Sequence, residues 1–222
     1  MRDLLTVGTY NIHRCVGRDH RYDVDRVARV IRQLECDAVG LQEVDNKPAL
    51  RTQLEFLANA TDMQPVAGAN NALLTSREVG KIRLHDLTYT GREPRSALDV
   101  ELLAGRQVVR VIVTHLGLRS VERRFQVQKL LTVLRDIPSD RMVIVLGDIN
   151  EWLPVGRPLR WLHSVLGKPP GGPRSFPVWA PLLALDRVWT RPARALLELQ
   201  VHRSREARSA SDHFPVKALV HA

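Results

Sequence analysis

Apolar residues along the chain recur with two periods, and their alternation predicts a strand-rich α/β order. Leu4 to Tyr10 reads as a strand that closes on Asn11-Ile12-His13. After a charged loop over 18–25, Val24, Val27, Ala28, Val30, Ile31 and Leu34 share one helical face, and that helix ends near Glu35. Cys36 to Leu41 is a second strand, closing on Gln42-Glu43. Leu50, Leu54, Leu57 and Ala58 mark a second helix, and short strands are predicted at 65–67, 72–76 and 82–87. From Ser96 to His115 the pattern alternates on both sides of Ala104-Gly105, as an antiparallel hairpin would. Ser120 reads as the N-cap of a helix from Val121 to about Arg135. Met142 to Leu146 is an apolar run that ends in Gly147-Asp148-Ile149-Asn150. The segment 154–181 carries seven of the thirteen prolines and four glycines, so it is expected to be a long loop with a short helix over 159–166. Strands resume at 182–189, 196–202 and 214–220.

The polar residues that end these strands change the picture from fold to chemistry. Asp148 and Asn150 are two apart, so on an extended backbone they point the same way at the edge of a core. Asn11, Glu43, His115, Asp186 and Asp212-His213 end or begin other apolar runs. Each has a structural alternative: a turn, an ion pair with arginine, or a hydrogen-bonded core histidine. Together they imply a hard-cation site, because half-burying several carboxylates is costly unless they are paired or bind a metal. Oxygen donors without cysteines indicate Mg²⁺ or Mn²⁺ rather than zinc.

Composition narrows the partners. A net charge of +9, with 33 Lys and Arg against 24 Asp and Glu, favours polyanions such as nucleic acid or anionic lipid headgroups. Cys15 and Cys36 give neither a disulfide framework nor a zinc pattern. No signal peptide and no apolar run long enough to span a bilayer is visible, so a cytoplasmic protein without stable membrane insertion is expected. With 222 residues, one domain over 1–222 and a monomer are the default expectations.

The runs Thr9-Tyr10-Asn11-Ile12-His13, Leu41-Gln42-Glu43-Val44-Asp45, Thr114-His115-Leu116, Leu146-Gly147-Asp148-Ile149-Asn150, Leu185-Asp186-Arg187-Val188 and Ser211-Asp212-His213-Phe214-Pro215 resemble, in order, the motifs of the endonuclease/exonuclease/phosphatase superfamily, which has the deoxyribonuclease I-like fold. The resemblance implies an α/β (α+β) four-layer sandwich: two packed mixed, mostly antiparallel β-sheets flanked by helices. It also implies metal-dependent hydrolysis of a phosphate ester. Carried onto this chain, Glu43 would be the main metal ligand, with Asn11 and Asp212 beside it. Asp148 would orient or deprotonate the attacking water, and Asn150 would hold that water or a phosphate oxygen. His213, oriented by Asp186, would stabilise phosphoryl charge or act as the base, and His115 would be the general acid. Asn71-Ala72-Leu73 and Glu93-Pro94-Arg95 resemble further family segments, which makes Asn71 and Arg95 candidate phosphate contacts. Ser175 sits in a segment like the family's substrate-side loop.

On these grounds the expected activity is a Mg²⁺- or Mn²⁺-dependent phosphodiesterase acting on nucleic acid, DNA in preference to RNA. The alternative is a phospholipid, sphingomyelin or inositol-phosphate esterase, for which an exposed apolar docking feature around Trp152, Trp161 and Trp179 would be needed. An inactive basic binding module is the remaining alternative, opposed by the intact carboxylates and final Asp-His.

Overall fold

The computed structural model describes residues 4–45, 51–169 and 171–222. Leu50, the first apolar position of the second helical pattern, and Pro170 of the Pro-rich loop lie outside them. The chain runs β1 (Leu4–Asn11), α1 (Val24–Leu34), β2 (Ala38–Gln42), α2 (Arg51–Thr61), β3 (Gln64–Ala67), β4 (Asn71–Thr75), β5 (Val79–Asp86), β6 (Ser96–Ala104), β7 (Gln107–His115), α3 (Ser120–Arg135), β8 (Met142–Asp148), α4 (Arg157–Leu166), β9 (Asp186–Arg191), β10 (Leu196–Val201), α5 (Arg205–Ala210) and β11 (Val216–His221).

These strands form two sheets. One has the order β10-β11-β1-β2-β4-β3, the other β5-β6-β7-β8-β9. In each, one pair is parallel, β1 with β2 and β7 with β8, and the remaining pairs are antiparallel. Leu5, Val7, Ala38, Leu73 and Ala218 from the first sheet pack against Val100, Val111, Ile144 and Val188 from the second, so the sheets lie face to face over a dry core. The outer face of the first sheet is covered by α1, α2 and α5 and that of the second by α3 and α4. The result is the expected four-layer sandwich.

Gly40 permits the close approach of the layers, since a Cβ there would clash with Leu146 of the facing sheet. Gly147, at φ 148°, is needed for another reason: any side chain would run into the Thr114 carbonyl of β7.

Three details depart from the sequence expectations. Ser120 is the first helical residue of α3, and its side chain does not cap; Arg119 takes the cap position without a side-chain bond. The strand expected from Leu182 begins at Asp186, because residues 176–183 fold back on themselves with Leu183 bridged to Phe176. Helix α5 is an addition to the expected elements. It spans six residues, too few for a periodic signal, and is started by Ser204 Oγ accepting from the Ala207 N–H at 3.1 Å.

Candidate active site

Strand parity brings the polar groups to one place. Leu5 and Val7 of β1 face the inter-sheet core, and so does the continuation through Thr9 to Asn11. Val109, Val111 and Val113 of β7 lead in the same way to His115, and Met142, Ile144 and Leu146 of β8 lead to Asp148. β9 runs antiparallel to β8, so its first residue, Asp186, pairs with Asp148 in the ladder. The carboxyl ends of three strands and the start of a fourth therefore replace the apolar core by polar groups at one end of the sandwich. Asn11, His115, Asp148, Asn150, Asp186 and His213 are all buried. All of them except Asp186 floor a cleft of about 780 Å³ that Glu43 and Asp212 also line.

The loops leaving these strands turn sharply. His13, Arg14 and Cys15 after β1, Glu43 after β2 and Asn150 after β8 all have φ between 46° and 59°. Such conformations cost a non-glycine residue on the order of 1 kcal/mol, and they concentrate here at the cleft. The turn after β1 sends His13 away from the stripe that Asn11 belongs to: its Nδ1 lies 2.9 Å from the Val16 carbonyl, and its N–H donates to Asn11 Oδ1 at 3.0 Å.

Asp148 is the hub of the floor. Its Oδ1 accepts the Asn150 N–H at 2.9 Å. Its Oδ2 accepts Asn11 Nδ2 at 3.1 Å and faces His115 Nε2 at 3.6 Å and His213 Nε2 at 3.7 Å. The other amide contact of Asn11 is to Glu43 Oε1 at 3.0 Å, so one carboxamide bridges carboxylates from the two sheets.

The two histidines are tuned in opposite directions. Arg95 Nη1 donates to His115 Nδ1 at 2.8 Å. A guanidinium only donates, so the ring proton belongs on Nε2, facing Asp148, and the Asn150 amide nitrogen, itself a donor, bonds the Leu116 carbonyl at 2.9 Å instead. Burial, followed by the Arg95 charge, overrides the Asp148 carboxylate and lowers the His115 pKa to about 3. His115 is thus neutral at physiological pH. Burial also works against charge on His213, but Asp186, Asp148 and Asp212 together outweigh it and raise the pKa to about 10. His213 Nδ1–H donates to Asp186 Oδ2 at 2.8 Å, and Ser175 Oγ donates to the same oxygen at 2.5 Å. The Phe176 ring packs on the imidazole at 4.6 Å between centroids.

Three expected substrate contacts are placed differently. Ser175 is fully buried behind Asp186, so it orients that carboxylate instead of facing the cleft. Asn71 is also fully buried and donates to the Ser96 carbonyl at 3.0 Å; its neighbour Asn70 lines the cleft. Arg95 borders the cleft but is 6% exposed, and it spends its two terminal nitrogens on His115 and on Glu93, the latter at 2.9 Å. Sequence reasoning also misses a buried pair at the mouth, in which Arg123 Nε donates to Glu151 Oε2 at 3.2 Å. Glu151 directly follows Asn150, which is the one available signal.

The donor set suits a hard divalent cation. Glu43 and Asp148 converge on one amide, Asp212 lines the same cleft, and no thiol is among the residues lining it. Asp148, Asp186 and His213 also have possible ligand atoms all within 4.8 Å of one another. In that group, however, Asp186 Oδ2 is already committed to His213 and Ser175, although Asp186 Oδ1 is buried without a partner among the described residues. Glu43 and Asp212 are half-buried and so more accessible than Asp148 and Asp186.

Comparisons with known proteins agree with this geometry. Residues 8–213 match the Endonuclease/Exonuclease/phosphatase family. The Escherichia coli K12 protein YbhP, described as uncharacterized, is 29% identical over 241 aligned positions that cover 96% of this chain and 94% of that protein. Among solved structures, an endonuclease/exonuclease/phosphatase from Beutenbergia cavernae superposes with a TM-score of 0.79 at 23% identity, covering 99% of this chain and 72% of that one. A D. rerio TDP2 complexed with single strand DNA product superposes at 0.70 and 18% identity, covering 99% of each chain. Members of the matched family are phosphoesterase and nuclease-like hydrolases that typically use divalent metals. With the family match spanning nearly all of the chain and the sandwich shared with these structures, the chain belongs to the endonuclease/exonuclease/phosphatase family.

Proposed function

We propose that the protein is a Mg²⁺- or Mn²⁺-dependent phosphodiesterase in which Glu43, flanked by Asn11 and Asp212, holds the cation. The observation that carries this reading is the convergence on Asp148 of an Asp186–His213 pair, a second histidine, the Asn11 carboxamide from the facing sheet and the Asn150 backbone N–H. A bound divalent cation would neutralise the non-bridging oxygens of the phosphate. Asp148 orients the attacking water and takes its proton, and Asn150 fixes the water or a phosphate oxygen. His213, charged and aimed by Asp186, stabilises negative charge building on the phosphoryl oxygens. His115, as a neutral imidazole, keeps its proton and gives the leaving oxygen a hydrogen bond through Nε2–H, while the alkoxide takes its proton from solvent. This refines the general-acid role, because the imidazolium is not the form its surroundings keep at neutral pH.

Nucleic acid and phospholipid both present the phosphodiester these groups need. The +9 charge and the arginine excess support nucleic acid, since binding by counterion release requires no base contacts. Trp152 and Trp179, 61% and 66% exposed, support the lipid, whereas Trp161 packs against the α3–α4 core. The test is hydrolysis, with Mg²⁺ or Mn²⁺ and with EDTA, of a chromogenic phosphodiester, plasmid, single-stranded DNA, RNA, an anionic phospholipid and sphingomyelin. Cleavage that survives EDTA unchanged would overturn the cation dependence, and cleavage of none of them would overturn the activity.

A further inference from the structure

Six large hydrophobic residues among those described are more than 60% exposed: Leu118, Trp152, Leu153, Val155, Trp179 and Leu182. All six lie on the three loops that leave β7, leave β8 and lead into β9, the loops that contribute Leu118, Trp152 and Phe176 to the cleft wall. Scattered exposed apolar residues are ordinary, but a set confined to three loops that each also wall one cleft marks a docking surface.

The first two loops are held together from beneath. Arg123 donates to the carbonyls of Gly117 and Leu118 and pairs with Glu151, whose Oε1 accepts the Leu153 N–H at 3.1 Å. The two charged side chains are 8% and 4% exposed. A buried ion pair contributes little net stability, so its product here is geometry: it ties the loop that carries Leu118 to the loop that carries Trp152 and Leu153.

Within these three loops the exposed charge has one sign. In segments 117–124, 151–160 and 176–185 the only carboxylates are Glu122 and Glu151, both buried and paired with Arg92 and Arg123. Arg119, Arg124, Arg157 and Arg160 are exposed and make no ion pair with any described residue. Arg119 follows Leu118 directly, and Arg157 stands two residues after Val155. Apolar tips interleaved with such guanidinium groups match an anionic bilayer surface, where aliphatic side chains and indoles enter below the headgroups and arginines remain among them. Nucleic acid matches less well. Its surface is polar and charged, and four of the six tips are aliphatic residues with no ring to stack on a base.

Resting on the phosphodiesterase reading, we infer that this lip docks the protein on the surface of an anionic phospholipid bilayer and presents headgroup phosphodiesters to the Glu43–His213 cleft. Docking of this kind is peripheral, and no helix of the described residues is long and apolar enough to cross a membrane.

The test is sedimentation of the full chain, in EDTA, with vesicles of phosphatidylcholine doped with phosphatidylglycerol, against vesicles of phosphatidylcholine alone and against a single-stranded oligonucleotide. The wild type should bind the doped vesicles, with a blue shift of tryptophan emission and weaker binding as salt rises. The double variant Leu153→Ser/Val155→Ser, neither residue of which lines the cleft, should lose binding about tenfold or more while keeping the wild-type thermal transition. A wild type that ignores the doped vesicles overturns the inference. So does vesicle binding untouched by the double variant, or a variant that loses affinity only for the oligonucleotide. The two readings separate cleanly: vesicle binding without cleavage of a soluble chromogenic phosphodiester upholds docking and overturns the hydrolase, and cleavage without vesicle binding does the reverse.

Discussion

The floor of the cleft and its lip break the ordinary rule of burial in opposite senses within one end of the sandwich. On the floor, Asn11, His115, Asp148 and Asp186 are buried where the strand pattern would otherwise carry valine or leucine. On the lip, leucine, valine and tryptophan are exposed where a loop would ordinarily be polar. The floor stays folded because its buried groups are paired, Asp186 Oδ1 excepted: the amide of Asn11 between two carboxylates, His213 on Asp186, His115 on Arg95. The tips of the lip have no such cover among the described residues, and the inferred bilayer is what would supply it. A floor satisfied from within and a lip left unsatisfied are what a reactive site and a docking surface respectively require.

Substitutions that break the floor should have the largest effects. His213→Ala or Asp148→Asn is expected to lower kcat/KM on a soluble phosphodiester by roughly 10³-fold, with near-native circular dichroism, because each removes charge stabilisation or water orientation in the transition state. Next comes the strut between floor and lip. Glu151→Ala leaves Arg123 buried without its partner and should cost about 3 kcal/mol in denaturant unfolding, and vesicle affinity should fall with it. Asp186→Asn keeps the shape but removes the first of the carboxylates that hold the His213 pKa up. A loss of roughly 10² in kcat/KM and an alkaline limb of the pH–rate profile moved to lower pH are expected, whereas a merely structural role would leave the limb in place.

A separate effect is on stability at acid pH. In metal-free protein the unfolded His115 binds a proton near pH 6.5, but the folded residue does so only near pH 3. The unfolded state therefore binds more protons across that window, and stability falls as the pH drops through it. His115→Asn should flatten this acid limb in urea titrations between those values, and an unchanged limb would show that the imidazole is not held neutral.

How much of this was legible in the sequence follows from the same contrast. The floor was legible because strand period and strand ends are both written in the residues. Val109-Val111-Val113-His115 and Met142-Ile144-Leu146-Asp148 each show an apolar stripe passing into a polar group, and a two-residue period fixes the face. The fold and the family were read from the order of such segments. The partners of individual side chains were not legible. Arg95, Asn71 and Ser175 were expected at the phosphate, yet the structure turns them onto His115, the Ser96 carbonyl and Asp186, because a polar residue beside a site reads the same whether it points at substrate or at a neighbour. The lip was legible only as three tryptophans of unknown exposure. Trp152 and Trp179 proved exposed and Trp161 packed, and Leu118, Leu153, Val155 and Leu182 carried no signal because an apolar loop residue resembles a core residue until the chain is folded.

The most direct measurement compares wild type with Glu43→Gln on a soluble chromogenic phosphodiester across a range of Mg²⁺ or Mn²⁺ concentrations, with an EDTA control. The floor as described predicts that wild-type turnover appears only with the cation and that Glu43→Gln, equally folded, loses about 10³-fold at matched cation concentration. Turnover by Glu43→Gln at the wild-type rate with Mg²⁺ present would contradict it.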